Sequence, residues 1–128
     1  MTIIQLHNLE QISGAGRGKK MTVPTINFPV LEELQDVPFG VYAGTVSAQW
    51  RSYSGAIHFG PIPTFADSEP RLEVYLIDET DIVFPEGTLF EVTFLERIRD
   101  IQKFENPEIL KIQIQRDIKQ IREILKKR

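Results

Sequence analysis

The apolar positions of this chain change their period once. Between Ile12 and Leu95 they come in short runs broken by Gly, Pro and Asp-Ser punctuation. The clearest runs are Gly40–Val46, Tyr53–Phe59, Leu72–Ile77 and Leu89–Phe94, all rich in β-branched and aromatic residues and short enough for strands. Such evenly spaced short strands predict a small barrel or sandwich. From Asn106 the period lengthens, and Leu110, Ile114, Ile118, Ile121 and Leu125 recur with Lys, Arg, Gln and Glu between them. Asn106 suits an N-cap, Pro107 the first helical position and Glu108 the first turn. The pattern predicts one amphipathic helix of about five turns at ~3.6 residues each. A barrel this small needs further burial, so the apolar stripe is expected to dock on it.

A length of 128 residues suits one domain and one core. The expected division is a barrel over about 10–96, a connector over 97–105 and a helix over about 106–127. A formal net charge of -3 gives no basic field for nucleic acid, and the terminal Lys126-Lys127-Arg128 complements a helix dipole. Cysteine is absent, and His7 and His58 are the only imidazoles, so thiolate or histidine metal clusters are excluded. The N-terminus lacks the pattern of a signal peptide, and no apolar run approaches the ~20 residues that span a bilayer. A cytoplasmic, monomeric protein without membrane or nucleic-acid partners is expected.

Four stretches could carry chemistry. In Gly14-Ala15-Gly16-Arg17-Gly18-Lys19-Lys20, alternating glycines let backbone N–H groups converge on a phosphate, with two lysines beside them. The same pattern also suits a plain surface turn. In Pro24-Thr25-Ile26-Asn27, Thr25 and Asn27 share one side of an extended segment and could hold a hard cation such as Mg²⁺; local backbone bonding is the alternative. Glu73, a carboxylate within the apolar run Leu72–Ile77, could serve as a base or simply face solvent. The segment from Arg97 to Phe104 mixes guanidinium groups and a ring that could grip a flat heterocycle, or could be a solvated connector.

Taken in order, Gly16-Arg17-Gly18, Pro24-Thr25-Ile26-Asn27, Gly40-Val41-Tyr42, Gly60–Phe65, Glu73–Asp78, Arg97-Ile98-Arg99 and Lys103-Phe104 form a series that resembles riboflavin kinase. The family's Pro-Thr-Ala-Asn signature stands here as Pro24–Asn27. The resemblance implies a mainly β fold, a six-stranded antiparallel Greek-key barrel with a C-terminal helix. It also implies transfer of the ATP γ-phosphoryl group to the 5′-hydroxyl of riboflavin, giving FMN and ADP, with Mg²⁺ as cofactor. By the same resemblance Gly14, Gly16, Gly18 and Lys19 or Lys20 cover the ATP phosphates, while Thr25 and Asn27 hold Mg²⁺ and phosphate. Glu73 is then the catalytic base. Leu76, Asp78 and Phe84 fall at the nucleotide, and Arg99, Gln102 and Phe104 at the flavin. The adenylyltransferase half that accompanies this domain in bifunctional enzymes is missing from the chain, which makes a separate FAD-forming adenylyltransferase an expected partner.

Two segments depart from the family pattern. Met21-Thr22-Val23 replaces a glycine-containing tripeptide, and Thr22 cannot take a positive φ cheaply. Val83-Phe84-Pro85-Glu86-Gly87 replaces a Leu-Tyr-Gly turn, dropping a hydroxyl and a backbone donor. These departures keep open a non-catalytic flavin- or nucleotide-binding module of the same fold. A small barrel for single-stranded nucleic acid is a third reading, opposed by the acidic balance.

Overall fold

Buried and outward residues alternate over Thr25–Phe28 and Arg71–Leu76, whereas Gly40–Gly44 and Gly55–Ile57 are buried on both faces. The computed structural model describes residues 2–12, 24–61 and 69–128. Six strands appear there: β1 (Ile4–Leu9), β2 (Thr25–Phe28), β3 (Gly40–Ala48), β4 (Arg51–Gly60), β5 (Arg71–Leu76) and β6 (Phe90–Arg99). A 3-10 turn, Glu32–Leu34, precedes β3, and the helix α1 (Pro107–Lys126) closes the chain. The strand order is β1-β6-β3-β4-β5-β2, with every pair antiparallel. Strands β3, β4 and β5 are successive neighbours and β6 returns beside β3, which is the Greek-key arrangement. The sheet curls into a half-barrel. Its edges are tied where Ile12, just beyond β1, bridges Asn27 of β2, with the Ile12 N–H donating to the Asn27 carbonyl at 2.8 Å.

The expected six-stranded fold with a C-terminal helix is the one observed. Two of its bounds lie elsewhere than expected. The sheet starts at Ile4, well before residue 10, because β1 buries only Leu6 and Leu9 and spends its other side chains on polar contacts. Gln5 donates to Thr93, and His7 meets Glu91, both across the β1–β6 pair. So little apolar alternation leaves no strand signal. At the other end β6 runs through Arg97 to Arg99, into the expected connector.

The barrel interior is filled by inward residues of all six strands and is rich in rings. Phe28 meets Phe90 edge-on at 5.3 Å, Phe84 meets Phe90 at 5.0 Å, and Tyr42 meets Phe94 at 5.0 Å. At Gly44 a Cβ would lie 2.1 Å from the Thr93 carbonyl oxygen, so only glycine lets β3 and β6 approach at the bulge beside Ala43. The outer face carries α1. Ala43 and Ala56, direct partners on β3 and β4, leave room for Ile121, which is fully buried against them with Ile77. Ile118, Ile124 and Leu125 pack around this patch. The helix starts where expected: the Asn106 side chain accepts from the Ile109 N–H at 3.0 Å, with Pro107 in the first turn.

The docked helix stripe gives a direct test. Ile121→Ala is expected to cost about 2–5 kcal/mol. Ile112→Ala, at a half-exposed position of the same helix, is expected to stay within about 0.5 kcal/mol of the parent. Urea unfolding measures both.

Candidate active site

β2 and β5 build the centre of the site. Ile26, Phe28, Leu72, Val74 and Leu76 are buried in the barrel, so alternation turns Thr25, Asn27, Glu73 and Tyr75 to the outer face. The register sets Asn27 opposite Glu73 and Thr25 opposite Tyr75. Glu73 also stands opposite His58 of β4, His58 opposite Val41 of β3, and Val41 opposite Arg99 of β6. One row therefore crosses the sheet: Asn27, Glu73, His58, Val41, Arg99. It links a candidate cation and phosphate ligand, the candidate base and a candidate flavin residue.

Beside β2 lies a cleft of about 590 Å³ lined by Thr25 and Asn27, the Phe84 ring, and a rim of Glu10, Gln11 and Glu86. A second hollow of about 160 Å³ shares Gln11, Thr25 and Phe84 and adds Leu76, Ile82 and Val83. Thr25, Asn27, Leu76 and Phe84 are thus brought together as one wall. Phe84 is mostly buried, packed edge-on against Tyr53 at 5.6 Å and against Phe90. Its carbonyl accepts from Gln11 Nε2 at 3.5 Å. The departure at Pro85 is absorbed by a turn: the Thr88 N–H donates to the Pro85 carbonyl at 3.1 Å, with Gly87 at φ 87°. Pro85 works there as an acceptor through its carbonyl. Glu10, Gln11 and Ile82 carried no sequence signal, because they reach the cleft from segments that lack any motif, while Glu86 belongs to the Val83–Gly87 segment already marked as a departure.

Asp78 stands apart from this wall. It takes a left-handed φ of 64° after β5 and its carboxylate pairs with Arg122 of α1. The glycine loop with Gly14, Gly16, Gly18, Lys19 and Lys20 lies outside the described residues, as does Thr22 and most of Gly60–Phe65. Thr25 and Asn27 offer two oxygen donors on one face of one strand at the cleft wall, a set that fits Mg²⁺, which keeps waters and phosphate oxygens as its other ligands. Among the described residues no group of three His, Asp or Glu could hold a metal by protein ligands alone.

At the other end of the row, Arg99 is clasped by the helix. Its Nε and a terminal nitrogen donate to Asp117 at 2.9 and 2.8 Å, and the other terminal nitrogen donates to the Asp100 carbonyl at 3.0 Å. Asp117 is almost fully buried and also accepts from Gln113 at 2.9 Å. The Arg99 guanidinium lies 5.8 Å from the Phe104 ring centre. Arg99 thereby ties β6, the connector and α1 together, with Phe104 beside it and Gln102 exposed. Asp117 was missed because a lone Asp in an amphipathic helix reads as solvent-facing. Burial of Tyr75 pushes its phenol up to about 12, helped by the nearby Glu73 charge. Burial holds the His58 imidazole below its ordinary value, against hydrogen bonds to Pro61 and Gly60 that favour the proton.

The sequence profile described as Flavokinase: Riboflavin kinase matches residues 8–125. The chain belongs to this family. It is 31% identical over 109 residues to a bifunctional riboflavin kinase/FMN adenylyltransferase of Bacillus subtilis, covering 83% of this chain and 34% of that protein. The chain thus spans about a third of the length of that relative. Its fold is similar to the riboflavin kinase of Trypanosoma brucei, with a TM-score of 0.67 and 22% identity over 96% of this chain and 80% of that one. It is also similar to a crystal structure titled as a macrolide-efflux protein of Streptococcus pneumoniae. That TM-score is 0.74, at 29% identity over 91% of this chain and 38% of that one. No helix among the described residues is long and apolar enough to cross a membrane.

Two outcomes follow from these contacts. Asp117→Ala, which leaves a largely buried guanidinium without its partner, is expected to cost about 3 kcal/mol by denaturant titration. The lowered His58 value means that the unfolded chain binds this proton more readily than the folded one. The His58 contribution to stability is therefore complete above the ordinary value of 6.5 and is lost as pH falls below it. Melting curves of His58→Gln are expected to lack this part of the acid loss.

Proposed function

We propose that the chain transfers the ATP γ-phosphoryl group to the 5′-hydroxyl of riboflavin with the help of Mg²⁺, giving FMN and ADP. The observation that carries this reading is the register that sets Asn27 directly opposite Glu73, with Thr25 on the same face. Phosphate would lie against Thr25 and Asn27 at the cleft wall, and the acceptor hydroxyl against Glu73. The Glu73 carboxylate takes the hydroxyl proton as the oxygen attacks the γ-phosphorus, and the bond to the bridging oxygen of ADP breaks. Phosphoryl transfer of this kind asks mainly for in-line positioning and charge neutralisation.

Thr25 and Asn27 would hold Mg²⁺, which when bound neutralises charge on the phosphate oxygens. Phe84, Leu76, Ile82 and Val83 give the nucleotide an apolar wall. Gly14, Gly16, Gly18, Lys19 and Lys20 would close over the phosphates. Phe104, steadied beside Arg99, and the exposed Gln102 would meet the flavin ring. Asp78, held by Arg122, would anchor the end of β5 to the helix rather than touch nucleotide. The family match also supports a cytoplasmic enzyme.

The test is incubation with riboflavin, ATP and Mg²⁺ while FMN and ADP are followed together. Equal amounts of both products are expected, and chelation of Mg²⁺ should stop the reaction. Glu73→Gln should lower kcat by about 10²–10⁴-fold, and Asn27→Ala should raise the Mg²⁺ concentration required. Tight flavin binding without FMN would instead select the non-catalytic module.

A further inference from the structure

His58 sits in the middle of the row, between Glu73 of β5 and Val41 of β3. It is held by few groups. Its Nε2 lies 3.3 Å from the Gly60 carbonyl oxygen and 3.3 Å from that of Pro61. Carbonyl oxygens only accept, so Nε2 carries the proton and donates to the turn that ends β4. Nδ1 is then a bare acceptor. It has no partner among the described residues, and no buried side-chain nitrogen or oxygen among them lacks one. His58 is only partly buried, and alternation along β4 puts its ring on the outer face, one strand from Glu73.

The neighbours keep this acceptor available. Glu73 faces it from β5, and β3 presents only Val41. Arg99 of β6 has three of its five N–H groups engaged by Asp117 of α1 and by the Asp100 carbonyl, which holds its guanidinium toward the helix and the connector. Burial and the Arg99 charge both disfavour a second proton on the ring. A neutral imidazole on the outer face, beside a carboxylate, matches two adjacent hydroxyls of a polyol. One hydroxyl gives its proton to the carboxylate, and the next donates a hydrogen bond to nitrogen.

We propose that His58 is a specificity-determining residue that accepts a hydrogen bond at Nδ1 from a hydroxyl of the acceptor's polyol chain, next to the hydroxyl held by Glu73. This rests on the riboflavin kinase reading for the identity of the acceptor, but its readout is binding rather than turnover. Flavin fluorescence titration compares riboflavin with lumiflavin, which has the same ring and a methyl group in place of the ribityl chain. His58→Phe should weaken riboflavin about tenfold, the worth of a hydrogen bond lost in a partly buried site. It should leave lumiflavin within about twofold, since the ring contacts lie elsewhere. His58→Gln, which keeps an amide acceptor, should recover part of the riboflavin affinity.

Equal weakening of both flavins, or no change in either, would overturn the proposal. Riboflavin preference that depends on His58 in a chain that makes no FMN would sink the kinase reading and keep this one. Should His58→Phe fail to fold, ¹⁵N spectra of the parent decide. With only two histidines in the chain, the His58 signals are readily assigned. A neutral ring protonated at Nε2, with an Nδ1 resonance that moves with riboflavin and not with lumiflavin, is expected. A ring protonated at Nδ1 would refute the assignment.

Discussion

β2 is only four residues long, yet its pairing with β5 decides where the chemistry can sit. Ile26 and Phe28 must point into the barrel, and the antiparallel ladder must match them to Val74 and Leu72. With those four positions set, Thr25, Asn27 and Glu73 have no freedom of face or order. A slip of β2 by one residue would turn Thr25 and Asn27 inward and expose Ile26 and Phe28, so the hydrophobic core enforces the register of the polar site. The bridge from Ile12 to Asn27 adds a second hold on the same short strand. It joins two edges that would otherwise be open to other chains.

The helix acts on the opposite end of the row. The small residues Ala43 and Ala56 let α1 lie close on β3 and β4, and Ile121 fills the space between. From this seat Asp117 holds Arg99 with both carboxylate oxygens, and Arg99 in turn steadies the connector and Phe104. Both charges are drawn from water, so the pair is more a device for fixing position than a source of net stability. The proposed flavin end of the site is therefore held by a helix that presents no predicted site residue of its own. The nucleotide end relies on barrel packing, where Phe84 serves the core and the cleft wall together.

Much of the fold was legible in the residues themselves. Strands β3 to β6 announced themselves by β-branched and aromatic runs, and the helix by Asn106, Pro107 and a regular apolar stripe. Strand β1 did not, because Gln5 and His7 interrupt an already thin apolar pattern and find their partners far along the chain on β6. The extension of β6 to Arg99 was hidden for a similar reason. Polar residues such as Arg97 read as connector until a neighbouring strand takes up their backbone groups. Asp117 looked like one more charge on a wet face, and only its burial against Arg99 says otherwise.

The stretch from Gly14 to Asn27, together with Glu73, was enough in sequence to suggest phosphate, a hard cation and a base. Residue type and local spacing carry that information, since a threonine and an asparagine two apart on an extended chain share a side in any fold. The sequence could not say that Asn27 stands opposite Glu73, that His58 lies between that glutamate and Arg99, or that Asp78 turns away to Arg122. Those relations join residues tens of positions apart, and they exist only once a closed core has chosen one strand order and one register. Local chemistry chose the parts, and long-range packing decided which of them meet.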